Sequence, residues 1–274
     1  MDKLRIYLMG PIDLLLGDRQ LVNFPTRKSK SLFAYLALKH NQILSREVVA
    51  TEFWGDLSEK RARKALNTEL WRINQLLRKG GADPDRYLYS SSDGICFEVN
   101  SACWLDVAQF DDVLARAIKT TPEHASMDLI DRLIEVVMLH RGDLLHGIFD
   151  DWCLMQREVF RGRYLSALEF LMNTYVAHQS WKRALLYSQK LLSIDPLQEH
   201  IHRAAMHCCY SMGNRPAAIR QYAVCAQILR HELDIEPMKE TTRLYETILA
   251  EVMHQNPADK VANAELVSEF WTGR

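Results

Sequence analysis

Apolar and polar residues alternate from Leu4 to Leu16, and Gly10-Pro11 breaks the run. That pattern predicts two short strands joined by a turn. Gly17-Asp18 marks a second turn, and Gln20–Phe24 a further strand. The period then changes. Leu32, Phe33, Tyr35, Leu36 and Leu38 recur at helical spacing in a run to His40 that starts at Pro25-Thr26, with Thr26 as N-cap. Arg27, Lys28 and Lys30 lie in its first turn, where cations oppose the helix dipole. Phosphate contact and solvated surface charge both account for them. Asn41–Leu44 reads as an extended link. Ser45 caps a short helix that ends near Trp54, with Gly55 as a left-handed stop.

The next segment has the sharpest amphipathic pattern in the chain. From Ser58, read as its cap, to Lys79 it carries seven Lys and Arg against two Glu. Ala62, Ala65, Leu66, Leu70, Ile73 and Leu77 form one apolar face. Lys60, Lys64, Asn67, Thr68, Trp71, Gln75 and Arg78 lie on or near the opposite one. After Gly80-Gly81, Tyr87–Ser90 and Ile95–Val99 flank Ser91-Ser92-Asp93-Gly94, a hairpin signal. Helix, basic helix and hairpin in this order predict a winged helix-turn-helix, whose second helix enters the major groove of double-stranded DNA.

Beyond Leu105 the periodicity is helical throughout. Helices are predicted over 106–119, 124–139, 150–178, 181–194, 198–212, 215–231 and 239–255, and Val261–Trp271 reads as a short helix or a frayed tail. Ala184 maps onto Ala218 at an offset of 34, as do Leu171 onto Ala205, Met172 onto Met206, Tyr175 onto Cys209, Ser188 onto Tyr222 and Leu191 onto Cys225. A 34-residue period of paired helices is the tetratricopeptide signature, and a generic helical bundle is its rival. The fold class expected is an α+β N-terminal winged helix-turn-helix domain followed by an all-α tetratricopeptide-like domain. The boundaries expected are 1–100, 101–255 and a tail of 256–274.

The net charge of −1 speaks against nucleic-acid binding until the chain is divided. Residues 1–100 hold 16 Lys and Arg against 12 Asp and Glu, a balance of +4; the remainder holds 18 against 23, a balance of −5. This asymmetry is expected of a DNA-binding module joined to something else. The opening residues show no signal-peptide pattern, and no run of about 18 apolar residues occurs, so a cytoplasmic protein with no membrane partner is expected. The six cysteines lack CxxC spacing and read as reduced, buried thiols. Cys208 and Cys209, adjacent on a helix, do not share a face, so no metal site is expected with His200, His202 and His207. No phosphate-binding glycine loop occurs, and no cofactor or catalytic residue is expected. Asp150-Asp151 beside His146 reads as helix capping rather than an acid–base pair.

The order of small sheet, helix, F-W-G-D-L, R-A-R-K-A-L-N-T-E-L-W-R-I-N-Q-L-L-R and Y-L-Y…D-G-I-C-F-E-V resembles the OmpR-type winged helix of the Streptomyces antibiotic regulatory proteins (SARPs). The segment from Trp104-Leu105-Asp106-Val107-Ala108-Gln109-Phe110 through R-G-D-L-L is similar to the bacterial transcriptional activator domain of that family. The resemblance covers roughly residues 3–255, without the ATPase module of larger members. It implies contact of the Gly55-Asp56-Leu57 loop with RNA polymerase, and a homodimer or a protein or small-molecule effector at the helical domain.

On the basic helix itself, Lys64 suits guanine acceptors and Asn67 and Gln75 suit adenine edges. Arg61, Arg63, Arg72 and Arg78 suit phosphates. Arg72 matches the arginine that opens the family's R-L-R-R run, but Asn74 and Gln75 replace the two later arginines. Trp71 meets a sugar or thymine methyl, packs on a second subunit, or is buried in its own domain. Arg86, Ser91 and Ser92 reach the minor groove or backbone, or face solvent. The function expected is a sequence-specific transcriptional regulator, an activator at promoter DNA; the alternative is a protein-interaction adaptor whose winged helix does not bind DNA.

Overall fold

A computed structural model describes residues 2–21, 23–92 and 94–255, so the hairpin's Asp93 and the Val261–Trp271 segment lie outside the described residues. The chain divides into two compact units, 1–119 with 126–164 and 120–125 with 165–274.

The first unit opens with a four-stranded sheet. Strands β1 (Leu4–Tyr7) and β2 (Asp13–Leu16) pair antiparallel with Leu4 opposite Leu16 and Ile6 opposite Leu14, all four turned into the sheet's covered face. Strand β3 is only Arg19–Gln20. The longer strand expected to Phe24 does not form, because Asn23 adopts φ +62° and turns the chain toward the next helix. Leu21 is instead buried against Gly80, where an added Cβ would lie 2.4 Å from the leucine methyl.

Three helices follow: α1 (Arg27–Leu38), α2 (Arg46–Trp54) and α3 (Glu59–Lys79). Thr26 caps α1 as expected. Its hydroxyl accepts from the Ser29 amide at 2.9 Å, and the Ser29 hydroxyl accepts from the Thr26 amide in return. Ser45 caps α2 by accepting from the Glu47 amide. Two expected caps differ. Gly55 is right-handed at φ −57°, ψ −24°, so it supplies no left-handed stop; the chain turns through Leu57 N–H donating to the Trp54 carbonyl. Ser58 is extended, but its hydroxyl makes no capping bond; its carbonyl takes the Arg61 and Ala62 amides. After α3, a 3-10 turn at Pro84–Arg86 leads into strands β4 (Leu88–Ser90) and β5 (Ile95–Phe97), an antiparallel hairpin.

A sixth strand, β6 (Cys103–Leu105), runs parallel to β1 and closes the sheet order β3-β2-β1-β6. No strand was expected there, since three residues carry too little alternation to show. Helix α4 (Asp106–Ile118) continues directly from it. The Asp106 side chain is fully buried at this junction and accepts from three backbone N–H groups, that of Leu8 shared between its two oxygens and those of Met9 and Val107, at 2.7–2.9 Å. Burial outweighs those donors and pushes its carboxyl up to about 6. Helix α5 (Met127–Met138) starts later than the pattern suggests, because Pro122–His124 forms a 3-10 turn and Ser126 is the cap. The loop after α5 also wraps β1: the Arg141 and Leu145 amides donate to the Met9 and Leu8 carbonyls. Arg157 secures that loop by donating to the carbonyls of Leu144, Leu145 and Ile148. Asp150, ahead of helix α6 (Asp151–Ala177), accepts from the Ser31 hydroxyl, and Trp152 packs edge-on to Tyr35.

The second unit contains the end of α6, α7 (Trp181–Ile194), α8 (Glu199–Ser211), α9 (Arg215–Leu233) and α10 (Lys239–Gln255). The 34-residue offset holds in space. Ala177 and Ser211 end their helices, and Trp181 and Arg215 begin the next, at matching positions. Ala184 and Ala218 are both fully buried where α7 and α9 press on their partners. Met206, Cys209, Ala218 and Ile248 form a core that α10 covers, and Tyr245 of α10 stacks on Tyr222 at 4.1 Å. His202 is buried, and burial lowers its pKa; one ring nitrogen faces the Pro196 carbonyl and the other faces the Gln221 amide. All six cysteines are buried thiols, and burial pushes Cys103 and Cys225 up to about 12.

Candidate nucleic-acid interface

Helix α3 is held by its apolar face and offers the other to solvent. Ala62, Leu66, Leu70, Ile73, Leu76 and Leu77 are buried against α1 and α2. Ala65, expected on that face, is only half-buried. At about 25 cal/mol per Å² of apolar surface, burying such a stripe holds the helix against its neighbours. The exposed row is Lys60, Arg61, Lys64, Asn67, Thr68, Trp71 and Arg78, with Gln75 half-buried at its end. Trp71 is 60% exposed, which removes burial in its own domain from the three readings of that residue.

The cations on this helix fall into two groups. Among the described residues, no carboxylate is paired with Lys60, Arg61 or Lys64. The others face acids. Arg63 sits between Glu47 at 2.7 Å and Glu59 at 2.8 Å. Arg72 is turned inward onto Glu69 at 2.5 Å. Glu69 is itself buried and accepts from the Thr26 hydroxyl at 2.8 Å, so this pair ties α3 to the cap of α1. Arg78 lies 3.9 Å from Asp85. The Thr68 hydroxyl donates to its own helix at the Lys64 carbonyl.

The hairpin is fastened close to the row. Leu44 and Ile95 exchange both backbone hydrogen bonds, at 2.8 and 2.9 Å. Gly94 makes that approach possible: a Cβ there would lie 2.8 Å from the Leu44 carbonyl oxygen and 2.6 Å from the Ile43 side chain. Ser91 and Ser92 are at the tip, with the Ser91 amide donating to the Gly94 carbonyl. Arg86 is not on the hairpin; it ends the preceding 3-10 turn, half-buried, with its carbonyl accepting from Asn100. Gly55, Asp56 and Leu57 are exposed between α2 and α3. Lys28, in the first turn of α1, reaches the last turn of α2, where its ammonium donates to the Phe53 carbonyl and lies over the Phe53 ring. The dipole at that helix end favours a cation.

One residue joins these parts, and the sequence pattern did not single it out. Arg46, the first residue of α2, donates to the Ser90 hydroxyl at 2.8 Å and the Ser91 carbonyl at 3.1 Å through one nitrogen, and to the Asn67 side-chain oxygen through the other. The only local hint is a cation in the first turn of a helix, where the dipole disfavours it.

Residues 105–249 match the family model described as "Bacterial transcriptional activator domain". The chain is 23% identical over 250 residues to the transcriptional regulatory protein MoaR1 of Mycobacterium tuberculosis, covering 89% of this chain and 79% of that protein. It is 23% identical over 246 residues to the regulatory protein AfsR of Streptomyces coelicolor, covering 90% of this chain but 24% of the much longer AfsR. Among solved structures it is similar to Mycobacterium tuberculosis EmbR, determined in complex with a low-affinity phosphopeptide. The TM-score is 0.76 at 18% identity, over 92% of this chain and 66%, just under two thirds, of that one. This last likeness is one of fold. No helix among the described residues is long and apolar enough to cross a membrane.

Proposed function

We infer the function of this chain from one premise: it belongs to the family of the bacterial transcriptional activator domain, and its relatives are SARP-family transcriptional regulators. It is a transcriptional regulator. We further read the first hundred residues as an OmpR-type winged helix-turn-helix, with α3 in the major groove of promoter DNA and the β4–β5 hairpin as the wing. The observation that carries this reading is the exposed row Lys60, Arg61, Lys64, Asn67 and Trp71, continued by the half-buried Gln75, on a helix whose other face is buried, with a hairpin fastened beside it. A helix that reads DNA needs such a division, with apolar contacts inward and hydrogen-bonding groups and cations outward.

In this reading Lys60, Arg61 and Lys64 carry the phosphate and guanine contacts, and Asn67, Trp71 and Gln75 face base edges. Arg63 and Arg78 join the phosphates by leaving exposed carboxylates, an exchange that costs little because exposed ion pairs are weak. Ser91 and Ser92 approach the backbone from the wing. The Gly55-Asp56-Leu57 loop is the surface for RNA polymerase, and the helical repeats serve homodimer formation or an effector. A cytoplasmic location follows from acting on the genome.

The test is selection of fragmented genomic DNA on the purified protein beside a Lys60→Ala/Lys64→Ala variant. Enriched fragments that lie upstream of genes, share a motif and are lost in the variant are the expected result. Equal recovery by both proteins, or none by the wild type at low salt, overturns the reading.

A further inference from the structure

We propose that Arg46 is a positioning residue that sets the base preference of Asn67 and locks the hairpin to α3, an inference that rests on the DNA-binding reading above. A guanidinium has five donors and no acceptor, so the group facing it must be the amide oxygen of Asn67, never its nitrogen. The contact therefore fixes which way the amide points. A free asparagine reads adenine with both ends, its oxygen accepting from N6 and its nitrogen donating to N7. With its oxygen turned onto Arg46, Asn67 meets the groove through its N–H donors. Donors suit an edge made of acceptors, and guanine, with O6 and N7, is the base pair's richest such edge. Asn67 is thus a guanine reader here, contrary to the adenine preference its residue type suggests.

The second prong acts on the hairpin. Its nitrogen holds the Ser90 hydroxyl and the Ser91 carbonyl, at the end of β4 and the start of the tip. One half-buried planar group thus spans α2, α3 and the hairpin, three elements brought together from positions 46, 67 and 90–91. A lysine has the charge and three donors, but all on one nitrogen, so it lacks the second nitrogen that lets the guanidinium hold Asn67 and the hairpin at once. The unfavourable placement of a cation at the start of α2 is offset by these three bonds.

The experiment is selection from a randomised duplex library with the full chain, comparing wild type, Asn67→Ala, Arg46→Lys and Arg46→Ala. Melting curves and circular dichroism confirm that each variant is folded. Asn67→Ala identifies the base position that Asn67 reads. The expected wild-type base there is guanine. Arg46→Lys and Arg46→Ala are expected to shift preference at that position toward adenine by about tenfold, the size of one good direct base contact, and to leave the other positions unchanged. If Arg46→Ala is unfolded, Arg46→Lys carries the test alone. An Arg46→Lys protein with the wild-type preference at every position overturns the proposal, as does uniform weakening with no change of motif, the mark of a phosphate contact. A wild type that enriches no motif overturns the DNA-binding reading itself, an outcome distinct from both.

Discussion

Replacing Arg72 with alanine separates a structural cation from a DNA-contacting one. Its partner Glu69 has 10% of its side chain exposed, while Arg72 itself has 36%. Breaking a fully buried pair costs roughly 3–5 kcal/mol. Here the guanidinium is partly screened, and the Thr26 hydroxyl still donates to the stranded carboxylate. A cost of about 1–2 kcal/mol is therefore expected, nearer that of one unsatisfied charged acceptor reached by water. For a unit of this size that lowers the melting midpoint by about 2–8 °C. Thermal melts followed by near-ultraviolet circular dichroism measure it, and a double-mutant cycle with Glu69→Gln isolates a coupling of about 1 kcal/mol. The salt dependence of DNA binding supplies the contrast. Arg61→Ala should flatten the slope of log K against log salt by about 0.9, one phosphate's worth, and Arg72→Ala should leave it unchanged. An Arg72→Ala protein with an unaltered midpoint and a slope reduced by about one phosphate would refute the assignment and put this guanidinium on the DNA backbone.

Three further outcomes follow from the buried polar groups and the hairpin. Asp106 has a folded value raised from 3.8 to about 6, so its contribution favours the fold below pH 4 and is lost as pH rises through 6, by about 3 kcal/mol; chemical unfolding of wild type against Asp106→Asn at pH 4 to 7 should show the wild type losing ground steadily across that window. His202 is shifted the other way, so its contribution is present above 6.5 and is lost as pH falls below it. Imidazole ¹⁵N spectra at pH 7 should show a neutral ring protonated at Nε2, the atom facing the Pro196 carbonyl, and a charged ring would contradict its burial. Gly94→Ala should cost about 1–3 kcal/mol through overpacking against Leu44 and Ile43, and weaken DNA binding through the displaced hairpin. Amide exchange at Leu44 and Ile95 reports whether their paired bonds have opened.

The features legible in the sequence were those written within a few residues of one another. Thr26 and Ser29 form a cap across three positions, and the α3 stripe repeats every three to four. The 34-residue repeat was legible for a related reason, since each copy must bury the same small residues at Ala184 and Ala218. What escaped depends on partners far along the chain. Strand β6 is three residues long and exists because β1, almost a hundred residues earlier, offers it an edge. Asp106 looks like any acid in a first helical turn, yet its acceptors are filled by Leu8 and Met9. Arg46 looks like a misplaced surface cation until Asn67 and the hairpin arrive beside it.

The pairing of the α3 cations is partly readable from helical spacing. Glu59 precedes Arg63 by four residues and Glu69 precedes Arg72 by three, the spacings at which opposite charges meet on a helix. Those two arginines were spoken for before any fold was known. Lys60 and Lys64 stand four apart with like charge, and Arg61 and Lys64 three apart, where repulsion costs a few tenths of a kcal/mol per pair. A helix chosen for stability alone would not cluster them on one exposed face. On the proposed DNA-binding reading, a phosphate between them turns the repulsion into attraction, so the arrangement that is unfavourable in the free protein is the one that a DNA backbone would reward.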